Sequence, residues 1–386
     1  MRYLTGLILF SVTMLTAQHT VTELGMLDVT ISESSGLLFF NDRLITHNDS
    51  GNEAILYEID TTSLTIVRQV TVINVENKDW EALTQDETHI YIGDFGNNVG
   101  TRTDLSIYKI DKNQYLEQDQ VVAEIIEFRY EDQTEFDNDG NSDWDAEAFI
   151  AMDNQLVVLT KQWQSLGSVA YSIPKIAGNH LATRIGEISD IGLVTDATFD
   201  NVSNELFVLG YSSILTPFLL KFENAAPSSI FNPDYQEYEL GLSFVQTEGI
   251  TRTSENQLYF TSEFFSRQTP AITSEARIFN LEFVAENNSG DGPNEPEVPD
   301  ETPENETEEA IIIYRDASLG EFLYTINTTN TVFGGSIFDS SGRMVWTSEE
   351  NIATTGYISR SLGRPGIFYF AAYLNTGILS VPFALY

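Results

Sequence analysis

"SSGLLFFNDRLITHNDSGNEAILYEID", Ser34 to Asp60, holds three short apolar runs divided by two polar segments. "LLFF", "LITH" and "AILYEI" are too short for helices, and Asn, Asp, Ser and Gly between them favour turns, so the stretch reads as antiparallel strands. The same order recurs as "EALTQDETHIYIGDFGNN…LSIYKID" from Glu81 and "EAFIAMDNQLVVLTKQWQ…VAYSIPK" from Glu147. It recurs again as "DATFDNVSNELFVLGYSS…FLLKFE" from Asp196 and "EGITRTSENQLYFTSEFF…RIFNLEF" from Glu248. The first four units continue into a fourth strand, such as "TIVRQVTVI" or "QVVAEIIEFRY". No amphipathic run of helical period and useful length interrupts them, which predicts an all-β domain.

Four strands repeating at roughly 50 residues are the pattern of a propeller blade. Five blades are preferred, with a sixth, degenerate one as the alternative in the longer gap between Glu81 and Glu147. The fifth unit lacks an outer strand, whereas "HTVTELGML", His19 to Leu27, precedes the first unit without a partner. Pairing the two would close the ring and hide both sheet edges.

The chain has 386 residues, with 58 Asp plus Glu against 19 Lys plus Arg and a formal charge of -39. Such a surface repels phosphate backbones and anionic headgroups, so no nucleic-acid or membrane-surface role is expected. The 42% hydrophobic content still allows a sizeable core. The absence of cysteine rules out disulfides, thiol catalysis and cysteine zinc sites. Arg2, the short apolar run "LTGLILFSVTML" and Ala17 at a plausible cleavage point read as a signal peptide over residues 1–18. No later segment reaches transmembrane length, so a secreted or cell-surface protein, exported through the periplasm and monomeric, is expected. The propeller should span 19–284. Residues 285–310, rich in Pro, Glu and Asn, should form a disordered acidic linker to a small C-terminal domain at 311–386.

Aligned on the repeats, Ser35, Glu81, Glu147, Asp196 and Glu248 occupy one position on the strand that lines the channel. Converging carboxylates need a cation, a proton or a basic partner. Two readings stand: blade-to-blade clasps to backbone amides, or a calcium ion held by Glu81, Glu147 and Glu248. The neighbouring strand ends bring His47, Asp49, Asp94, Lys161, Trp163, Tyr211 and Glu263, a mixture suited to a polar ligand with one apolar face. A second calcium candidate is "DNDGNSDWD", where Asp137, Asp139, Asn141 and Asp145 follow the spacing of an oxygen-ligated loop, with Ser142 in place of its glycine.

"ESSGL" at Glu33 to Leu37, "DWEAL" at Asp79 to Leu83, "DAEAF" at Asp145 to Phe149 and "QTEGI" at Gln246 to Ile250 resemble the SdiA-regulated and phytase-like esterase propellers. The resemblance covers about Thr20 to Val284 and implies a propeller fold. The C-terminal segment, with "DSSGRMV" at Asp339 to Val345 and "GIFYF" at Gly366 to Phe370, is similar to the Ig-like sorting domains of the type IX secretion system. That similarity implies a small Ig-like β-sandwich at 311–386 and the type IX machinery as a partner.

For activity, the expected reading is a module that binds a small polar ligand, a surface glycan or a protein, with Trp163 and Tyr211 as stacking platforms. The alternative is a calcium-dependent hydrolase of an ester, lactone or phosphoester, with Glu81, Glu147 and Glu248 around the cation and His47 or Asp49 moving the proton. A glycosidase using two of the carboxylates is a third option.

Overall fold

The computed structural model describes residues 19–137, 140–212, 215–268, 271–283, 310–315, 322–328, 332–339, 344–348, 352–358, 366–374 and 377–385. The expected signal peptide, and the expected linker apart from Ala310, lie outside these residues.

Among the described residues up to Phe283, the strands form five four-stranded units and a two-stranded ribbon, with little helix. Blade 1 is Ser34–Phe40, Arg43–Asn48, Ile55–Asp60 and Ile66–Val72. Blade 2 is Trp80–Gln85, His89–Asp94, Leu105–Asp111 and Glu124–Tyr130. Blade 3 is Asp145–Met152, Gln155–Lys161, Ser168–Pro174 and Gly178–Ile188. Blade 4 is Leu193–Asp200, Glu205–Tyr211, Pro217–Phe222 and Gln236–Glu239. Blade 5 takes Thr247–Ser254, Gln257–Ser262 and Arg277–Phe283 from the end of the unit and His19–Met26 from the start of the chain. The last pairing is antiparallel, with His19 opposite Phe283 and Met26 opposite Arg277. The first strands of blades 1, 2, 3, 4 and 5 neighbour one another in that order and close back on blade 1, which makes the molecule a propeller.

Because each blade is covered on both faces, its strands are apolar runs and not strict alternations. Five apolar clusters result, one between each pair of neighbouring blades. Between blades 2 and 3, Phe95, Phe128, Phe149 and Tyr171 interdigitate. Between blades 4 and 5, Phe260 stacks on Phe279 at 4.8 Å. Each such fully buried side chain contributes about 1.5–3 kcal/mol. Two outer edges are also paired in parallel: Glu124–Tyr130 with Gly178–Ile188, and Ile66–Val72 with Gln120–Val121. Two short helical segments, the 3-10 turn Val29–Ile31 and the helix Lys112–Glu117, depart from the all-strand expectation; the Asp111 carboxylate caps the helix by accepting from the Gln114 N–H at 2.9 Å.

The C-terminal strands form two sheets packed as a sandwich. Ala310–Arg315, Phe322–Asn327 and Thr355–Ile358 make one sheet. Met344–Thr347, Val332–Asp339, Gly366–Leu374 and Gly377–Leu385 make the other. Tyr324 stacks on Phe370 at 4.6 Å between them.

Candidate functional site: an acidic mouth built on five bulges

The first strand of every blade opens with a β-bulge at the same register. The pairing slips between Ser35 and Leu37, Trp80 and Ala82, Ala146 and Ala148, Val194 and Asp196, and Thr247 and Gly249. A bulge leaves one residue unpaired and re-aims its side chain. The equivalent residues are therefore Gly36, Glu81, Glu147, Thr195 and Glu248. This corrects the sequence alignment by one residue in blades 1 and 4, where Ser35 and Asp196 stand beside the bulge and not on it. Gly36 has φ 67 and sits where an added Cβ would meet the backbone of Ala82 at 2.8 Å, so neither the conformation nor the space admits a carboxylate there.

The three bulged glutamates line a cavity of about 290 Å³ together with Asp49, Asp79, Glu263, Asn97, Asn98, Arg102, Lys161, Trp163, Tyr211 and Gln246. Its two halves differ. In the first, carboxylate oxygens of Asp49, Asp79 and Glu81 all lie within 4.8 Å of one another. Burial raises Asp49 to about 7, reinforced by the charge of Glu147, and raises Asp79 to about 6 against the pull of Arg102. Burial, then Glu147 and Asp49, hold Glu81 well above the ordinary carboxylate range. Arg102 is 3.9 Å from Asp79 but is committed to Asp94 at 2.8 Å. The backbone of Gly96 lies against the Glu81 and Asp79 carboxylates so closely that any Cβ there would strike both.

In the second half a buried lysine supplies the positive charge. Lys161 Nζ reaches Glu147 Oε1 at 3.0 Å, with both side chains 5% exposed. The ammonium lies over the Trp163 ring at 4.8 Å and over the Tyr211 ring at 5.4 Å. Burial pulls its pKa down, but Glu147 and the other acids outweigh that and hold it charged. One face of each aromatic is thus occupied by the protein's own cation. Glu248 and Glu263 complete this wall; burial raises both, Glu263 to about 7.

The expected site residues divide accordingly. Glu81, Glu147 and Glu248 share the cavity, but the close carboxylate group is Glu81 with Asp49 and Asp79, because Lys161 engages Glu147. Asp49, Lys161, Trp163 and Tyr211 line the cavity. Asp94 does not: it is fully buried, accepting from Tyr108 and Arg102, and it anchors the loop that carries Asn97 and Asn98. His47, expected to move a proton, is fully buried against Trp80, donates to the Asn48 carbonyl at 2.9 Å and does not line the cavity. Burial holds it neutral, its pKa lowered to about 4. Asp196 is a clasp: one oxygen accepts from the Ala197 N–H and the other from Ile250 N–H of blade 5 at 2.7 Å.

The expected calcium loop also differs. Asp145 turns inward and accepts from Asn97 N–H at 2.6 Å and Trp163 Nε1–H at 2.8 Å, so its oxygens face protein donors. Asp137 is exposed, the Asn141 carbonyl accepts from the Gln164 amide at 3.3 Å, and Asp139 lies outside the described residues. Among the described residues no close carboxylate group forms there.

Asp79, Arg102, Asn97, Asn98 and Gly96 were not singled out in the sequence. A signal existed for the first: Asp79 and Asp145 both stand two residues before a bulged glutamate, in "DWE" and "DAE".

No family model matches the chain, and no curated protein matches it. Among solved structures it is similar to hydrazine synthase of Kuenenia stuttgartiensis, at 10% identity over 91% of this chain and 79% of that one, with a TM-score of 0.34. It is similar to the extracellular domain of a protein described as a one-component system from B. thetaiotaomicron, at 11% identity over 90% and 56% of the two chains, TM-score 0.30. A third is the WD40 β-propeller domain of Doa1, at 7% identity over 95% and 97%, TM-score 0.31.

Proposed function

We propose that the chain is an exported propeller that binds a polar extracellular ligand at the acidic mouth, with a divalent cation as the bridge. The observation that carries this reading is the convergence of Asp49, Asp79 and Glu81 in a concave site where, among the described residues, no cation pairs with Glu81. Three carboxylates suit a hard cation, and calcium takes six to eight oxygens, so coordination positions remain for ligand oxygens. Such an ion would supply electrostatic attraction for hydroxyl, carboxylate or phosphate oxygens. Asp49, Asp79 and Glu81 would hold it, Arg102 and Gly96 keep Asp79 and Glu81 in place, and the Trp163 edge and Tyr211 shape the opposite wall.

The hydrolase reading is the second one. It is supported by the raised Asp49 and Glu263, near 7, which suit proton transfer at neutral pH. Export is supported by the N-terminal pattern of residues 1–18 and by the sandwich at the C-terminus, which we assign to recognition by the type IX machinery. No helix among the described residues is long and apolar enough to cross a membrane.

Calorimetric titration with calcium, on the wild type and on Asp79→Asn, tests the cation: binding must be present in the first and lost in the second. A panel of ester, lactone, phosphate and aryl-glycoside substrates, run with calcium and with Glu81→Gln as control, separates the two readings. Turnover that vanishes in Glu81→Gln establishes the hydrolase; glycan or peptide binding without turnover establishes the binding module.

A further inference from the structure

Strand alternation divides the four-stranded C-terminal sheet into two faces. Ile337, Phe368, Phe370 and Ala372 point into the sandwich against Tyr324 and Ile326. Phe338 stands opposite Tyr369, Ser336 opposite Ala371 and Gly334 opposite Tyr373, so these side chains point away from that core. An outward face should be wet, yet Phe338 is 2% and Ala371 1% exposed. The propeller supplies part of the cover. Phe244, in the loop entering blade 5, packs into the cluster of Phe338, Met344, Tyr369, Ala371 and Tyr373. Its ring centroid is 6.5 Å from Phe338 and 6.3 Å from Tyr373.

Phe244 is also set up for this by its backbone. It has φ 57, a left-handed conformation that bulky residues rarely adopt. The Val245 N–H donates to the Leu215 carbonyl at 3.1 Å, which fixes the loop, and the next residue, Gln246, lines the acidic cavity. The knob therefore stands at the rim of the candidate site.

We propose that the C-terminal sandwich is docked on the propeller by Phe244, which seats on the outer face of the sandwich's four-stranded sheet beside the acidic mouth. Docking covers an apolar patch that would otherwise be a liability on an exported protein. Separation of the domains bares two things at once: the apolar face of the sheet and an aromatic knob at the cavity rim. Removal of the sandwich would then change the site's edge as well as the protein's address. The inference does not rest on cation binding, and neither outcome below depends on calcium.

The test uses the full chain. Phe244→Gly removes the ring at a backbone conformation glycine adopts freely, and Tyr373→Ser attacks the contact from the other side. Small-angle scattering of the wild type should fit one compact particle. Phe244→Gly should increase the radius of gyration and maximum dimension, and should raise binding of a hydrophobic dye, with circular dichroism unchanged. Tyr373→Ser should shift both in the same direction. Wild-type scattering that requires two separated bodies would overturn the proposal, as would two folded variants whose scattering and dye binding match the wild type.

Discussion

The two mouths of the channel use the same acidic residue types to opposite effect. At the wide mouth, a cavity of about 1120 Å³ lined by the turns between first and second strands, the half-buried Asp86 and Asp200 have their donors. Asp86 accepts from the Thr88 and His89 N–H groups at 2.9 Å, from Tyr91 at 2.8 Å and from Lys175 at 3.2 Å. Arg252 pairs with Asp200 at 2.9 Å and Glu205 at 2.7 Å. Burial raises Asp86 and Glu205, but the donors to Asp86, and Lys221, Ser203 and Arg252 at Glu205, outweigh it and both fall below their ordinary range. At the bulged mouth the donors run short, and Asp49, Asp79, Glu81, Glu248 and Glu263 all rise. A tight turn supplies free N–H groups to its own aspartate, whereas a bulge aims a glutamate away from the backbone that could satisfy it. Unsatisfied charge in a concave site points to function, and satisfied charge to architecture.

The largest expected difference between the mouths is in pH dependence. Asp49 and Glu263 are raised from 3.8 and 4.5 to about 7, and Asp79 from 3.8 to about 6. Folded-state values above the unfolded ones mean that unfolding releases protons, so this contribution is full below the unfolded values and is lost as pH rises through 6 to 7. Asp86 and Glu205 run the other way: their contribution is present above 3.8 and 4.5 and is lost as pH falls. Urea denaturation from pH 4 to 8 in a chelator should show stability falling by several kcal/mol, and calcium should flatten that fall. A stability that rises across this range in chelator would show that the bulged mouth is not under charge strain.

Breaking one buried pair comes next. Lys161→Met leaves Glu147 uncompensated and should cost about 3–5 kcal/mol, most of it recovered when Glu147→Gln is added. Lys175→Met at the wide mouth should cost under about 1 kcal/mol, because Asp86 keeps four other donors. Equal losses at the two lysines would erase the distinction.

Calcium at a hundredfold its dissociation constant should then add about 2.7 kcal/mol, read as a rise in melting temperature. Asp79→Asn should abolish the rise, and Gly96→Ala, whose methyl group would displace Asp79 and Glu81, should weaken it.

The smallest expected effect is one of sign. In chelator at pH 8, Glu248→Gln should stabilise by about 1 kcal/mol by removing a buried carboxylate that faces Glu263 and Glu147, whereas Asp86→Asn should destabilise by about 1–3 kcal/mol. Chemical denaturation of both variants side by side checks this.

The fold was largely legible before any coordinates. Blade order and the strand at His19–Met26 that completes the last sheet follow from local signals: apolar runs of strand length, turn residues between them, and a period that repeats; the C-terminal sandwich was implied by a resemblance. The mouth was legible in part. Repetition of Glu81, Glu147 and Glu248 identified the ring, because a repeated fold places repeated residues at equivalent points. Which partners those glutamates meet was not legible. Asp49 joins Asp79 and Glu81 from another blade, Asp145 turns to Asn97 and Trp163, and His47 is sealed against Trp80. Each outcome depends on a contact between blades or on a one-residue bulge that local propensity does not encode. Gly36 and Thr195 were hidden for the same reason: a bulge shifts the register by one, and only cross-strand pairing shows where. Sequence alone thus determined the strands, their repetition and the excess of acid. Tertiary structure decided which acids are neutralised and which are left facing one another, because a carboxylate's charge is set by the donors within a few ångströms of it, and those donors come from distant parts of the chain.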